Sequence, residues 1–235
     1  MYVRENVLSA VQDYPENAYR IIYIDDRSTD QTYPRLILTV EKIGKPYLFS
    51  IYRNPTNRGA LCNHWNAIHQ LVEDDEIVVI LDGDDQLAGP FVLAYLNEIY
   101  QDETVWLTYG QYQEKNSGDI GFNKPMPDHT VKGNAFRKWK HIPSHLRTFY
   151  AKLYKNIKLE HLTRNNVFFP MNADMATMLP MIEMARDHFR FIPEVLYLYN
   201  DTNSLSDHRK SRNLQLNLDK HIRRLPVYAP LDVLF

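Results

Sequence analysis

The sequence predicts an α/β fold: an open, mainly parallel sheet flanked by helices, followed by a mixed C-terminal part. Three observations lead there. Short β-branched or aromatic runs alternate with amphipathic stretches through the first half of the chain. Residues 77–81 are apolar on both faces, as in a strand covered by helices on either side. Acidic clusters follow the first and third apolar runs, at the strand ends where open α/β sheets bind ligands.

Taken in order, residues 4–12 read as part of a helix with Val7, Leu8 and Val11 on one face. Residues 19–24 form a strand pattern, Tyr-Arg-Ile-Ile-Tyr-Ile. Ser28, Thr29 or Asp30 can cap a helix running to about Ile43, where Gly44 is placed to stop it. Residues 47–52 give a second strand. In 59–73, Leu61, Trp65, Ile68 and Val72 keep the i, i+4, i+7, i+11 spacing of one buried helical stripe. Residues 76–81 are the third strand, placed in the middle of a parallel sheet. Residues 90–101 form a helix with proline in its first turn, and 104–109 a fourth strand.

After Gly110 the periodicity fades, and 111–135 read as a long loop or irregular hairpin. Helices are expected over 143–154 and 174–186, the latter burying Met175, Met178, Leu179 and Ile182. Residues 189–199 return to strand character, and the tail from Asp201 is polar, then basic. The length of 235 residues suits one domain: a first half, 1–110, that binds a ligand at the strand ends, and a second half with the tail, 111–235.

Composition narrows the function. A net charge of -2 gives no whole-molecule case for nucleic acid, so any functional charge is local. Cys62 is the only cysteine, which excludes an internal disulfide and a cysteine-based zinc site. No apolar run approaches the roughly 18 residues that cross a bilayer, and the first twenty residues lack a signal-peptide centre. The expectation is a cytoplasmic protein, with peripheral membrane contact left open.

The acidic clusters are Asp25-Asp26 and Asp82, Asp84 and Asp85. Alone, Asp26 with the residues to Asp30 also reads as a turn and helix cap, and the Asp82 cluster as an acidic surface turn. Together at one sheet edge they favour a divalent cation with a nucleotide. Mg²⁺ and Mn²⁺ take carboxylate oxygens, with substrate phosphates completing the shell. A cation would also relieve the repulsion among the carboxylates.

Three segments resemble the successive donor-site motifs of family 2 glycosyltransferases, inverting enzymes of the GT-A fold. They are YRIIYIDDRSTDQT (19–32), NPTNRGALCNHWNAI (54–68) and VVILDGDDQL (78–87). Similar segments continue at SHLRTFYAKLYKNI (144–157), NADMATMLPMIEMA (172–185), FIPEVLYLYN (191–200) and LSDHRK (205–210). The resemblance implies a donor half over 1–110 and an acceptor side over 111–235. It places Asp25 and Asp26 near the base and ribose, Arg58 and Asn63 along the diphosphate, and Asp82 and Asp85 at the donor. Asp84 would hold Mn²⁺ or Mg²⁺, with Asp82 and His208 as further ligands. Asp174 matches the general base, although its usual acidic partner position is Ala173. The donor implied is a nucleoside-diphosphate sugar, UDP-linked, and the acceptor a hydroxyl on a sugar, lipid or protein.

The resemblance begins with the helix that follows the family's first strand, so that strand is expected to be missing ahead of Tyr2. A non-catalytic sugar- or nucleotide-binding domain is the alternative, and a nucleotidyltransferase a further one that lacks its glycine-rich phosphate loop here. Among Lys132, Arg137, Lys138, Lys140 and Arg147, most are expected to form a solvated basic face, with assistance to the leaving group as the other reading. Trp65 and the methionines of 171–184 read as core. His141 and His145 read as acceptor-side or structural residues, and Trp139 as a platform for an acceptor sugar.

Overall fold

The computed structural model describes residues 2–203 and 211–235; His208 and its LSDHRK segment lie outside the described residues. Helix α1 (Val3–Ala10) packs on α2 (Thr32–Ile43) through buried Val3, Val7, Leu36 and Val40. Between them in sequence, β1 (Ile21–Asp25) pairs in parallel with β2 (Phe49–Arg53), Asp25 lying opposite Arg53. Gly44 stops α2 as expected, at φ 73°, a left-handed conformation that glycine adopts without steric cost. Helix α3 (Ala60–Leu71) follows, with Leu61 and Ile68 buried and Trp65 packed against the same core.

A second sheet has the order β3-β6-β5-β9-β4. Its strands are β3 (Ile77–Ile80), β4 (Gln86–Leu87), β5 (Leu107–Glu114), β6 (Arg147–Tyr150) and β9 (Phe189–Tyr199). Only β5 and β9 run parallel; β3, placed by its apolar pattern inside a parallel sheet, is antiparallel to β6. A short hairpin of β7 (Thr163–Arg164) and β8 (Val167–Phe168) stands apart. Alternate residues of β3 serve two cores. Val78 and Ile80 pack with Leu61 and Ile68 of α3, whereas Val79 and Leu81 pack with Val92 and Leu96 of α4 (Val92–Tyr100).

The helix expected over 143–154 is corrected. Residues 147–150 are β6, and only α6 (Ala151–Lys155) after it is helical. Arg147, Thr148 and Phe149 are each buried between β3 and β5, and the two ladders available there outweigh any local helical preference. Strand β5 runs on to Glu114, into the stretch read as loop, and α5 (Asp128–Lys132) forms within it. Helix α7 (Ala173–Ala185) is buried from Met175 to Ala185, and with Met171 just ahead of it every methionine expected in the core is buried. Its all-round apolar surface is what a central helix requires. A final helix, α8 (Arg212–Ile222), arises in the basic tail, with Leu218 and Ile222 buried.

Candidate active site

The second acidic cluster sits where β3 ends. A turn closed by the Asp85 amide on the Asp82 carbonyl (3.0 Å) brings the three carboxylates to one corner. Helix α1 holds this turn, because Asn6 Nδ2 donates to the carbonyls of Asp82 (2.8 Å) and Asp85 (2.9 Å). Each carboxylate has its own partners. Arg147 Nη2 lies 3.0 Å from Asp82 Oδ2, and His145 Nδ1 lies 3.8 Å from the same oxygen. Asp85 is buried and accepts from the Tyr197 hydroxyl (2.6 Å) and the Asn200 amide (2.7 Å). Asp84 accepts from Asn203 Nδ2 (2.6 Å). The register Ile80 opposite Arg147 explains why β6 delivers both Arg147 and the preceding His145 to this corner.

Ligand atoms of Asp82, Asp85 and His145 all lie within 4.8 Å of one another. Two carboxylates and an imidazole suit a divalent cation that accepts oxygen and nitrogen ligands. From sequence His145 reads as acceptor-side or structural, and nothing assigns Tyr197 a role at the site. His145 stacks on Tyr197 at 4.4 Å between centroids, so the two rings form one wall of the corner. Both lie in segments with a family resemblance, 144–157 and 191–200, but only the register of β6 and β9 shows that they meet the carboxylates.

The carboxylates titrate in opposite senses. Burial raises Asp85 from 3.8 to about 7, with Asp82 adding to it and the Tyr197 hydroxyl offsetting part. Burial also opposes ionisation of Asp82, but Arg147, then His145 and His64, outweigh it and hold Asp82 below its ordinary value. A carboxyl raised on folding stabilises the fold below its unfolded pKa, and that contribution is lost as pH rises through the folded value. Asp82 contributes stability above pH 3.8 and loses it only on further acidification. Between pH 4 and 7 the Asp85 effect therefore dominates. The metal-free protein should lose up to about 4 kcal/mol of unfolding free energy across that window relative to Asp85→Asn. Urea unfolding of both proteins at pH 4.5 and pH 8 measures the difference, and parallel pH profiles would refute it.

The first acidic cluster has a different task. Asp26 Oδ1 accepts from Asn54 Nδ2 (2.7 Å) and the Arg58 amide (2.8 Å), and Oδ2 from the Gly59 amide (2.7 Å). Asn54 also donates to Asn63 Oδ1 at 2.8 Å. Burial opposes ionisation of Asp26, and these donors, Asn54 first, outweigh it. Asp26 thus fixes the loop that enters α3, with Gly59 at φ 81°. Arg58 contributes its backbone there and leaves its side chain exposed. Asp25 is buried beside Arg53, Nε to Oδ2 3.0 Å.

Arg147 joins the corner to the second half of the chain. Its guanidinium is buried, and Asp82, then Asp174, Tyr197 and Asp85, hold it charged against the cost of burial. Asp174 stands half-buried in the first turn of α7. His64 of α3 faces the same region and is pushed down to about 4, burial outweighing the pull of Asp82. The expected basic face is corrected at two positions. Lys132, Lys138 and Lys140 are exposed, but Arg137 and Arg147 are buried and ion-paired, Arg137 with Glu183. Trp139 is half-buried against the core and meets His141 edge-on at 5.4 Å.

Comparison with known proteins gives one sequence family and several solved structures of one fold. The profile described as glycosyl transferase family 2 matches residues 2–174. No curated protein matches. The structure of S. aureus TarS 1-349 is similar with TM-score 0.61 and 18% identity, over 85% of this chain and 56% of that one. TarS 1-349 in complex with UDP-GlcNAc is similar with the same TM-score and identity, over 89% and 57%. The mannosyltransferase PcManGT of Pyrobaculum calidifontis, in complex with GDP-Man and Mn²⁺, gives TM-score 0.60 and 19% identity over 97% and 62%. The chain thus spans less than two thirds of each of these structures. At these identities the likeness is one of fold, the GT-A arrangement. No helix among the described residues is long and apolar enough to cross a membrane.

Proposed function

The chain belongs to glycosyl transferase family 2, and from that premise we propose that it moves a sugar from a nucleoside-diphosphate sugar to an acceptor hydroxyl with inversion. The observation that supports this best is the corner itself. The Asp26-held loop, the Asp82–Asp85 turn, buried Arg147 and Asp174 all gather at the carboxyl ends of β1 and β3.

In the proposed reaction the acceptor oxygen attacks the anomeric carbon while the bond from that carbon to the diphosphate oxygen breaks. Asp174 takes the proton of the attacking hydroxyl. Asp82, Asp85 and His145 are the set that would hold Mn²⁺ or Mg²⁺, and Asp84 faces the same turn. A divalent cation held by them would supply positive charge to the departing diphosphate. Arg147 fixes Asp82, and its Nε makes no hydrogen bond among the described residues. The donor proposed is UDP-linked; acceptor identity lies with the second half of the chain.

The test is release of UDP and GDP from a panel of nucleotide sugars with Mn²⁺ present. We expect release from one donor class, and its abolition by Asp84→Ala and by Asp174→Ala. Tight donor binding with no turnover across acceptors would instead favour a sugar- or nucleotide-binding domain without catalysis.

A further inference from the structure

A line of aromatic rings leads from the carboxylate corner to the surface. His145, one of the candidate cation ligands, meets Tyr112 edge-on at 5.7 Å between centroids. Tyr112 meets Phe122 edge-on at 5.8 Å, and Phe122 lies within 26° of parallel to His141 at 6.3 Å. Tyr112 is buried and His141 half-buried, but Phe122 is 52% exposed. The line ends in a ring that faces water.

The backbone around that ring is fixed. The Gly121 amide donates to the Tyr112 carbonyl at 2.8 Å, and Gln111 Nε2 to the Asn123 carbonyl at 3.0 Å. The Tyr109 hydroxyl donates to the Lys124 carbonyl at 2.9 Å. Residues 121–124 are thus strapped along β5. Buried Asn123 donates from Nδ2 to the carbonyls of Gly110 and His145, which ties the strap to the segment bearing the cation ligand. A Cβ at position 121 would run into the Tyr112 ring, so glycine alone allows this approach. Phe122 is therefore held in place before any ligand arrives, which lowers the entropy cost of binding.

The surroundings select the ligand. Ile120 and Phe122 are open to water, and so are Asp119, Lys124 and Lys140. A lipid tail laid on this surface would meet charges. A pyranose uses both characters: C–H groups on its face lie against an aromatic ring, and hydroxyls at its rim reach charged and amide groups. Position then decides which sugar it is. The attacking hydroxyl belongs at the corner, whereas Phe122 stands two ring contacts out from His145.

We propose that Phe122 and His141 bind a sugar unit of the acceptor beyond the unit that reacts. The acceptor is then an oligosaccharide, and the reaction extends an existing glycan chain. This rests on the glycosyl transfer proposed above.

Saturation-transfer NMR on the full chain tests it without turnover, using mono- and trisaccharides of the gluco-, manno-, galacto- and N-acetylglucosamine series. At least one trisaccharide should bind about tenfold more tightly than its monosaccharide. Phe122→Ala should remove that advantage and leave the monosaccharide affinity unchanged, and Phe122→Tyr should keep it. Because Phe122 is exposed, the native circular dichroism spectrum should persist in both variants. Equal affinity for the two lengths, no saccharide binding, or an unchanged advantage in folded Phe122→Ala would overturn the proposal. So would binding of polyprenyl phosphate micelles, in place of saccharides, that Phe122→Ala abolishes. Nucleotide release measured beside it separates the two readings. Release without saccharide binding would overturn this proposal alone, whereas Phe122-dependent trisaccharide binding without release from any donor would support the sugar subsite and overturn the transfer reaction.

Discussion

Glu183→Ala should destabilise the protein by about 3–5 kcal/mol, a large share of the roughly 5–15 kcal/mol available to a folded domain. Glu183, in α7, is fully buried, and its carboxylate takes Arg137 Nε at 2.6 Å and Nη2 at 2.9 Å. The same guanidinium donates to the Ile222 carbonyl at the end of α8, and Glu183 Oε2 also accepts from the Tyr228 amide at 3.1 Å. One ion pair thus ties α7 to the 136–138 turn, to α8 and to the C-terminal segment. Truncating Glu183 leaves a guanidinium buried without its counter-charge, which costs more than the intact pair contributes. Replacing both partners, Arg137→Met with Glu183→Leu, should therefore recover much of the loss. The exposed pair Arg190–Asp102, by contrast, should contribute less than about 1 kcal/mol. Urea unfolding compares all three, and a Glu183→Ala loss below that of the surface pair would remove the argument.

That pair also shows where sequence reading stops. Arg137 stands among Lys132, Lys138 and Lys140, and nothing in a run of cations separates the one that turns inward from those that stay in water. Its partner lies 46 residues away. The elements read well wherever one face decides the matter. The stripe of α3, the glycine stop of α2 and the full length of β9 follow from periods of 3.6 or 2 and from glycine's freedom. Strand β6 fails that test because Arg147, Thr148 and Phe149 are buried in succession, so neither face is left polar to show a pattern. Helix α8 did carry a signal in Leu214, Leu218 and Ile222 at i, i+4 and i+8, masked by its charged neighbours. The carboxylates were legible because acidic residues at a strand end need a reason. The residues that make them tolerable, Asn6, Tyr197, Asn200 and Asn203, come from distant segments; Tyr197 and Asn200 lie in the FIPEVLYLYN resemblance, but nothing in it assigns them to the carboxylates.

Asp174→Asn should lower kcat by about 10²- to 10⁴-fold while leaving donor affinity unchanged, if the proposed reaction holds. The substitution keeps the shape of the first turn of α7, since an asparagine oxygen can still accept from the Met175 amide, as Asp174 Oδ1 does at 2.8 Å. What it removes is the capacity to take a proton. Asp82→Asn tests the other half of the site. It releases Arg147 from its counter-charge and alters the Asp82, Asp85 and His145 set, so it should weaken donor and Mn²⁺ binding first. The two variants separate on measurement: Asp174→Asn in single-turnover rate, Asp82→Asn in binding titrations. A base acting in the rate-limiting step also leaves an acidic limb on the pH profile of kcat, which Asp174→Asn should erase. Full turnover in Asp174→Asn with an unchanged acidic limb would move the base elsewhere. Loss of donor binding in that variant would instead make Asp174 a binding residue, and the chemistry would then need another acceptor for the proton.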